Sequence, residues 1–148
     1  MLLIEKVLLL KSLSIFRETP EPLLTEVAAI LEEVETAGDT TLFKKGDPGH
    51  CLYIIHKGQV KIHTNGHTLA TLGENDFFGE LSLLDVEARS ASATATTDSI
   101  LLKLDQEPFY ELMSNRIEVA KGILKTLCKR LRTQNEQTAE LKAKLQSL

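Results

Sequence analysis

The chain has 148 residues, 43 % hydrophobic and 26 % charged, with a formal net charge of −4. That length holds one domain with an appended element rather than two full cores, and the balance excludes a disordered chain. The longest stretch without a charged residue is 62–73, short of the roughly 20 apolar residues a membrane-spanning helix needs, so no membrane segment is expected.

The first residues, MLLIEKVLLLKSL, carry Glu5, Lys6 and Lys11 and no small-residue cleavage site, which reads as an amphipathic helix and not a signal peptide. Residues 1–37 are helical in pattern, with a break at Thr19-Pro20-Glu21-Pro22. Leu23, Leu24, Val27, Ile30, Leu31 and Val34 recur at helical spacing, and Glu26, Glu32, Glu33 and Glu35 mark the wet face. From 38 to 104 the period changes to two. Six β-prone runs, at 41–43, 52–55, 60–64, 68–72, 91–95 and 100–104, are separated by turn signals such as Gly46-Asp47-Pro48-Gly49 and Asn65-Gly66. Short strands at this spacing point to a sandwich or barrel. Asn65-Gly66 is a two-residue hairpin signal, which pairs Thr64 with His67 and His63 with Thr68.

From Gln106 the pattern is helical again, with a short helix at 108–113 and a long one from Arg116 to the end. In the long helix Ile117, Ala120, Leu124, Leu127 and Leu131, then Gln134, Thr138, Leu141, Leu145 and Leu148, step by threes and fours. That is a heptad seam. About 33 residues at 1.5 Å each reach roughly 50 Å, longer than a domain of this size is wide, so part of the helix is expected to pair with a partner. Charge divides at the same place. Residues 115–148 hold eight Lys/Arg against three Asp/Glu, and residues 1–114 hold nine against eighteen. Two domains are expected accordingly, 1–114 and 115–148. With no broad basic excess, nucleic-acid binding by this chain alone is not expected.

The strand pattern is interrupted at 78–93 by Phe-Gly-Glu-Leu-Ser-Leu-Leu-Asp-Val-Glu-Ala-Arg-Ser-Ala-Ser-Ala. Gly79 lets backbone approach a ligand closely. The amides of Leu81 and Ser82 open a helical turn whose positive end suits a phosphate oxygen. Arg89 offers bidentate pairing to the same group. Glu80 can accept from a sugar hydroxyl, and Ser90 can donate to a phosphate oxygen. The plainer alternative is a tight strand-to-helix turn with Glu80 and Arg89 as an internal ion pair.

The segment 78–95 resembles the phosphate-binding cassette of cyclic nucleotide-binding domains, of the type found in catabolite activator protein and the regulatory subunits of cAMP-dependent protein kinase. Gly46-Asp47-Pro48-Gly49, Leu52-Tyr53-Ile54-Ile55, Gly58-Gln59-Val60 and Leu72-Gly73 continue the resemblance over nearly the whole chain. It implies a mainly β fold, an eight-stranded double-stranded β-helix (β-roll or jelly roll) with N-terminal helices and a long C-terminal helix. It implies that Arg89 takes the cyclic phosphate and Glu80 the ribose 2′-hydroxyl. Gly79, Leu81, Ser82, Ser90 and Ala91 complete the cradle, and Ile62 and Leu72 line the apolar side. In the activator-protein branch the long helix offers polar side chains to the base, which falls here on Gln134 and Asn135. Gln134 also fits a register-setting polar residue in a coiled coil. Two positions depart from the family pattern, Ala88 in place of a proline and His50 in place of an aspartate.

The function so implied is regulatory and not enzymatic: reversible binding of a 3′,5′-cyclic nucleotide, cAMP favoured over cGMP because Arg89-Ser90-Ala91 looks like the activator-protein version. Binding is relayed to the C-terminal helix or to a fused or separate effector. A homodimer through that helix is expected, and no cofactor. The alternative is a dimerisation module that keeps the fold and ignores nucleotides. No metal is expected, because His63 and His67 fall on opposite faces of their hairpin and no HxH pair of the cupin type occurs. Two cysteines, Cys51 and Cys128, make no disulfide framework, so a reducing cytoplasmic location is expected.

Overall fold

A computed structural model describes residues 1–148. Alternating residues carry its central part into eight strands: β1 (Glu32–Thr36), β2 (Thr41–Phe43), β3 (Cys51–Lys57), β4 (Val60–Thr64), β5 (His67–Leu72), β6 (Phe77–Phe78), β7 (Ser92–Ala95) and β8 (Ser99–Asp105). The strands pair antiparallel in two four-stranded sheets, ordered β1-β8-β3-β6 and β2-β7-β4-β5. Inner-facing residues of both sheets meet in one interior. Ile55, Val60, Phe78, Ala93 and Leu101 are buried there, with Leu42, Phe43, Tyr53, Ile62 and Leu72 packed against them. Burying each large aliphatic or aromatic side chain contributes about 1.5–3 kcal/mol. This is the jelly roll expected from the sequence.

The β4–β5 hairpin follows its turn chemistry. Asn65 and Gly66 both take positive φ, 50° and 79°, and the register is Thr64↔His67 and His63↔Thr68. Between Ile62↔Ala70 and His63↔Thr68 the register slips by one residue, leaving Leu69 as a bulge.

One expectation fails in this region. The helical pattern read through residue 37 ends early, because α2 (Glu21–Ala29) stops and β1 begins at Glu32. Val34 and Thr36 turn inward while Glu33 and Glu35 stay exposed, a period of two that apolar residues at 30, 31 and 34 had masked. Pairing of Val34 with Leu101 and Thr36 with Ser99 along β8 decides between the two periods.

The remaining helices are α1 (Leu3–Ser12), α3 (Glu80–Leu84), α4 (Gln106–Asn115) and α5 (Ile117–Gln146), with a 3-10 turn at Ser14–Phe16. The chain divides into two compact units, Glu26–Leu112 with the β-roll, and Met1–Thr25 together with Met113–Leu148. The N-terminal segments through Thr25 fall in the second of these units. They share a unit with α5 because α5 buries Val119, Gly122, Ile123 and Thr126 at helical spacing, α1 buries Val7 and Leu10, and the 3-10 turn buries Ile15 and Phe16. Gly122 allows the closest approach: a Cβ there would lie 2.9 Å from Thr19 Oγ1 and 3.2 Å from the Glu18 carbonyl oxygen.

That buried stripe is offset from the heptad seam. Ile117, Leu124, Leu131, Leu141 and Leu145 of the seam are all exposed, and every residue from 131 onward is exposed. With 30 residues, α5 is about 45 Å long at 1.5 Å per residue. No helix is long and apolar enough to cross a membrane.

Candidate functional site

The cassette is positioned by β6, whose Phe78 pairs with Tyr53 of β3. The next residue, Gly79, is left-handed at φ 80°, ψ 21° and turns the chain into the five-residue α3. After α3 the backbone is tied to the 46–49 loop. Arg89 N–H donates to the Asp47 carbonyl (2.7 Å), Gly46 N–H to the Arg89 carbonyl (2.8 Å) and Gly49 N–H to the Glu87 carbonyl (2.9 Å). These three bonds straddle Ala88, which faces Pro48 in an isolated antiparallel bridge. Tyr110 of α4 donates to the Leu84 carbonyl at the other end of α3.

Arg89 is thereby turned inward and is only 8 % exposed. Nη1 donates to Ser82 Oγ at 3.1 Å, and Nη2 donates to the Cys51 carbonyl at 3.0 Å and reaches Cys51 Sγ at 3.6 Å. The guanidinium carbon lies 4.1 Å from the centre of the Phe43 ring, a cation–π geometry. These partners are a hydroxyl, a carbonyl, a thiol and a ring, all neutral. The Nε–H is buried with no hydrogen-bond partner. A buried cation without a counter-charge costs several kcal/mol, which an anion with two or three acceptor oxygens offsets. The internal ion pair considered from sequence is therefore not what Arg89 makes here.

The space next to that Nε is kept by glycine. A Cβ on Gly49 would lie 2.5 Å from Ser82 Oγ and 2.8 Å from Arg89 Nε. A Cβ on Gly79 would lie 2.5 Å from Arg89 Nη1 and 2.8 Å from the Cys51 carbonyl oxygen. Below the guanidinium, Phe43, Tyr53 and Phe78 form an aromatic cluster with centroids 5.1–6.2 Å apart. Burial, then the neighbouring Cys51, pushes the Tyr53 phenol well above its usual range, so it stays neutral.

Of the residues expected from sequence, Gly79, Ser82 and Arg89 converge. Ser82 does so through its hydroxyl, because its amide donates to the Gly79 carbonyl inside the turn (3.1 Å). Glu80 is half-buried in the first turn of α3, and Leu81 beside it is exposed. Ser90 is exposed and Ala91 buried at the start of the strand that follows. Ile62 and Leu72 are partly buried against the interior cluster. Gln134 and Asn135 belong to the other unit, on the exposed part of α5. Sequence reasoning missed Cys51, Gly49 and Phe43 as parts of the site. Gly49 carried a signal in its Gly-Asp-Pro-Gly setting. Cys51 and Phe43 carried none, since they meet Arg89 only through folding. No three His, Cys, Asp or Glu side chains come together as metal ligands would.

A family model for the cyclic nucleotide-binding domain matches residues 33–116. The chain is 34 % identical over 116 residues to a CRP-like cAMP-activated global transcriptional regulator of Mycobacterium tuberculosis, covering 75 % of this chain and 52 % of that protein. It is 42 % identical over 96 residues to the cyclic AMP receptor protein of Thermus thermophilus, covering 62 % and 44 %. The chain thus spans about half the length of these curated relatives. Among solved structures, the N-terminal domain of a transcriptional regulator from Streptomyces coelicolor superposes with a TM-score of 0.81 at 34 % identity, over 86 % of this chain and 95 % of that one. The matched segment takes in the β-roll from Glu33 on and more than half of the chain, and the chain belongs to the cyclic nucleotide-binding domain family.

Proposed function

We propose that this module senses a 3′,5′-cyclic nucleotide by reversible binding and carries out no chemistry on it. The observation that carries the reading is the buried Arg89, held by neutral groups with its Nε–H unmatched beside Gly49 and Gly79. A cyclic phosphate supplies the missing charge and acceptors at that position. Glu80 takes the ribose 2′-hydroxyl, the Leu81 amide, Ser82, Ser90 and Ala91 complete the phosphate cradle, and Ile62 and Leu72 meet the apolar side of the ligand. The favoured ligand is cAMP, in keeping with Arg89-Ser90-Ala91 and with relatives named for that nucleotide. Calorimetric titration with cAMP and cGMP tests this. Saturable heat with the tighter binding for cAMP is expected, and no heat with either nucleotide overturns the reading.

The relay runs through 115–148 as a separate functional segment in a cytoplasmic regulator whose effector is fused or separate. The seam Ile117, Leu124, Leu131, Leu141 and Leu145, exposed in one copy, is covered by the same seam of a second copy. Gln134 and Asn135 then serve the base or the register. Ligand binding shifts the helix arrangement only by its different affinity for two arrangements. Replacing Leu124 and Leu131 together with glutamate places like charges on the seam. A concentration-dependent dimer, followed by sedimentation, is expected to become monomeric with the β-roll intact. The second reading, a dimerisation module indifferent to nucleotides, is favoured by the same exposed seam, and it predicts a dimer that gives no calorimetric response.

A further inference from the structure

A cavity lies wholly within the helical unit, lined by no residue assigned to the cassette. It measures about 350 Å³ and sits between the Ser14–Phe16 turn, with Arg17 and Glu18 after it, and the α5 face that runs from Thr126 to Gln134. On that face Val119, Gly122 and Ile123 are buried, and one turn later the same stripe becomes Thr126, Lys129, Arg130 and Thr133. The lining holds three cations, Arg17, Lys129 and Arg130, and one carboxylate, Glu18.

The hydrogen bonds leave donors free to face the cavity. Lys129 donates to Glu18 Oε1, and this bond holds the Glu18 carboxyl below its usual range, so the carboxylate stays charged. Arg130 donates to Ser14 Oγ, which uses a lone pair of that hydroxyl and leaves its proton available. The Arg17 side chain is exposed at the rim.

We propose that this cavity binds a small phosphate monoester. The lining's net charge of two positive matches the near-dianion that such a group carries at neutral pH. A cavity of this size suits a compact molecule. Arg17, Lys129 and the Ser14 hydroxyl reach the phosphate oxygens, and Glu18, kept ionised, accepts from a hydroxyl on the ester's organic part. Gln134 lines the same cavity, so the occupant touches the turn of α5 next to Asn135. The proposal does not rest on the cyclic-nucleotide reading, because it uses none of that site's cassette residues.

The test titrates the full 15N-labelled chain at constant ionic strength with inorganic phosphate and, separately, with glycerol 3-phosphate. Backbone amides of 14–19 and 126–134 are followed by NMR. Saturable shifts on those amides are expected, with the ester binding at least about threefold more tightly than inorganic phosphate. Arg17→Gln and Lys129→Gln should each weaken binding about three- to tenfold. Arg89→Ala should leave it unchanged. Linear shifts that chloride reproduces, or saturable shifts confined to 79–91 and abolished in Arg89→Ala, overturn the site. Ester binding no tighter than inorganic phosphate overturns the monoester assignment.

Discussion

Arg89→Ala is expected to lower affinity for cyclic nucleotide by roughly 30- to several-thousand-fold, the equivalent of about 2–5 kcal/mol for removing a charge-assisted hydrogen bond from a desolvated site. The size follows from burial. Arg89 is only 8 % exposed and its partners are neutral, so a phosphate bound as proposed would be the one negative group to meet it. Truncation would leave that phosphate facing Ser82 and the cassette amides alone. Without ligand the variant has little reason to unfold. It gives up its hydrogen bonds to Ser82 and Cys51 and its place over the Phe43 ring, yet it also sheds an uncompensated buried charge. The two readouts should therefore separate. Denaturant melts without nucleotide should nearly coincide with those of the parent chain. The stabilisation given by nucleotide, about 2.7 kcal/mol at roughly 100 times the parent's Kd, should fall below about 1 kcal/mol at the same concentration. An Arg89→Ala protein that binds within about threefold of the parent would rule out Arg89 as the phosphate ligand.

Gly79→Ala is expected to damage both stability and binding. The left-handed backbone at φ 80° costs a Cβ-bearing residue about 1–2 kcal/mol, before any neighbour is considered. The neighbours crowd it severely as well, since the new Cβ would lie 2.8 Å from the Cys51 carbonyl oxygen and 2.5 Å from Arg89 Nη1. The carbonyl is backbone in the central strand β3 and yields only by distorting the sheet. The guanidinium is the end of a flexible side chain and yields by leaving its position, which is the position that the proposed phosphate contact needs. A loss of about 2–4 kcal/mol in stability is expected together with at least about tenfold weaker nucleotide binding. Gly66→Ala is the matched control. Its φ of 79° is nearly the same, but a Cβ there meets nothing within 4 Å. It should cost about 1 kcal/mol and leave affinity alone. If both variants bind like the parent chain, the crowding at Gly79 has no bearing on the phosphate site.

Much of the roll was legible because its signals are local. A turn such as Asn65-Gly66 declares itself within two residues, and the strand period of two appears within five. The strand β1 was not legible, because five residues with Val34 between glutamates satisfy a helical period as well as a strand period. Only the backbone of β8, more than 60 residues further on, settles that choice. The two-residue β6 is too short to have any period at all. At the site, Gly79 and Arg89 were readable as an anion-binding pattern, with Glu80 as an acceptor for a sugar hydroxyl. The environment of Arg89 was not, since Cys51 is 38 residues away in sequence and Phe43 further still.

The amino-acid sequence by itself determined the turns, most of the strands, the heptad repeat of α5 and the spacing of the segment that resembles a phosphate-binding cassette. These are properties of neighbouring residues, set by backbone sterics and by the periods of helix and strand. Only the tertiary structure decided that Arg89 lies buried among neutral groups with its Nε–H unmatched. It also decided that α5 buries the Val119–Gly122–Ile123 stripe and leaves Leu124, Leu131, Leu141 and Leu145 of the seam in solvent. A helix with two apolar stripes does not say which one its own chain will cover. That depends on where Glu18 and Thr19 meet Gly122, a meeting of segments about a hundred residues apart that no local pattern encodes.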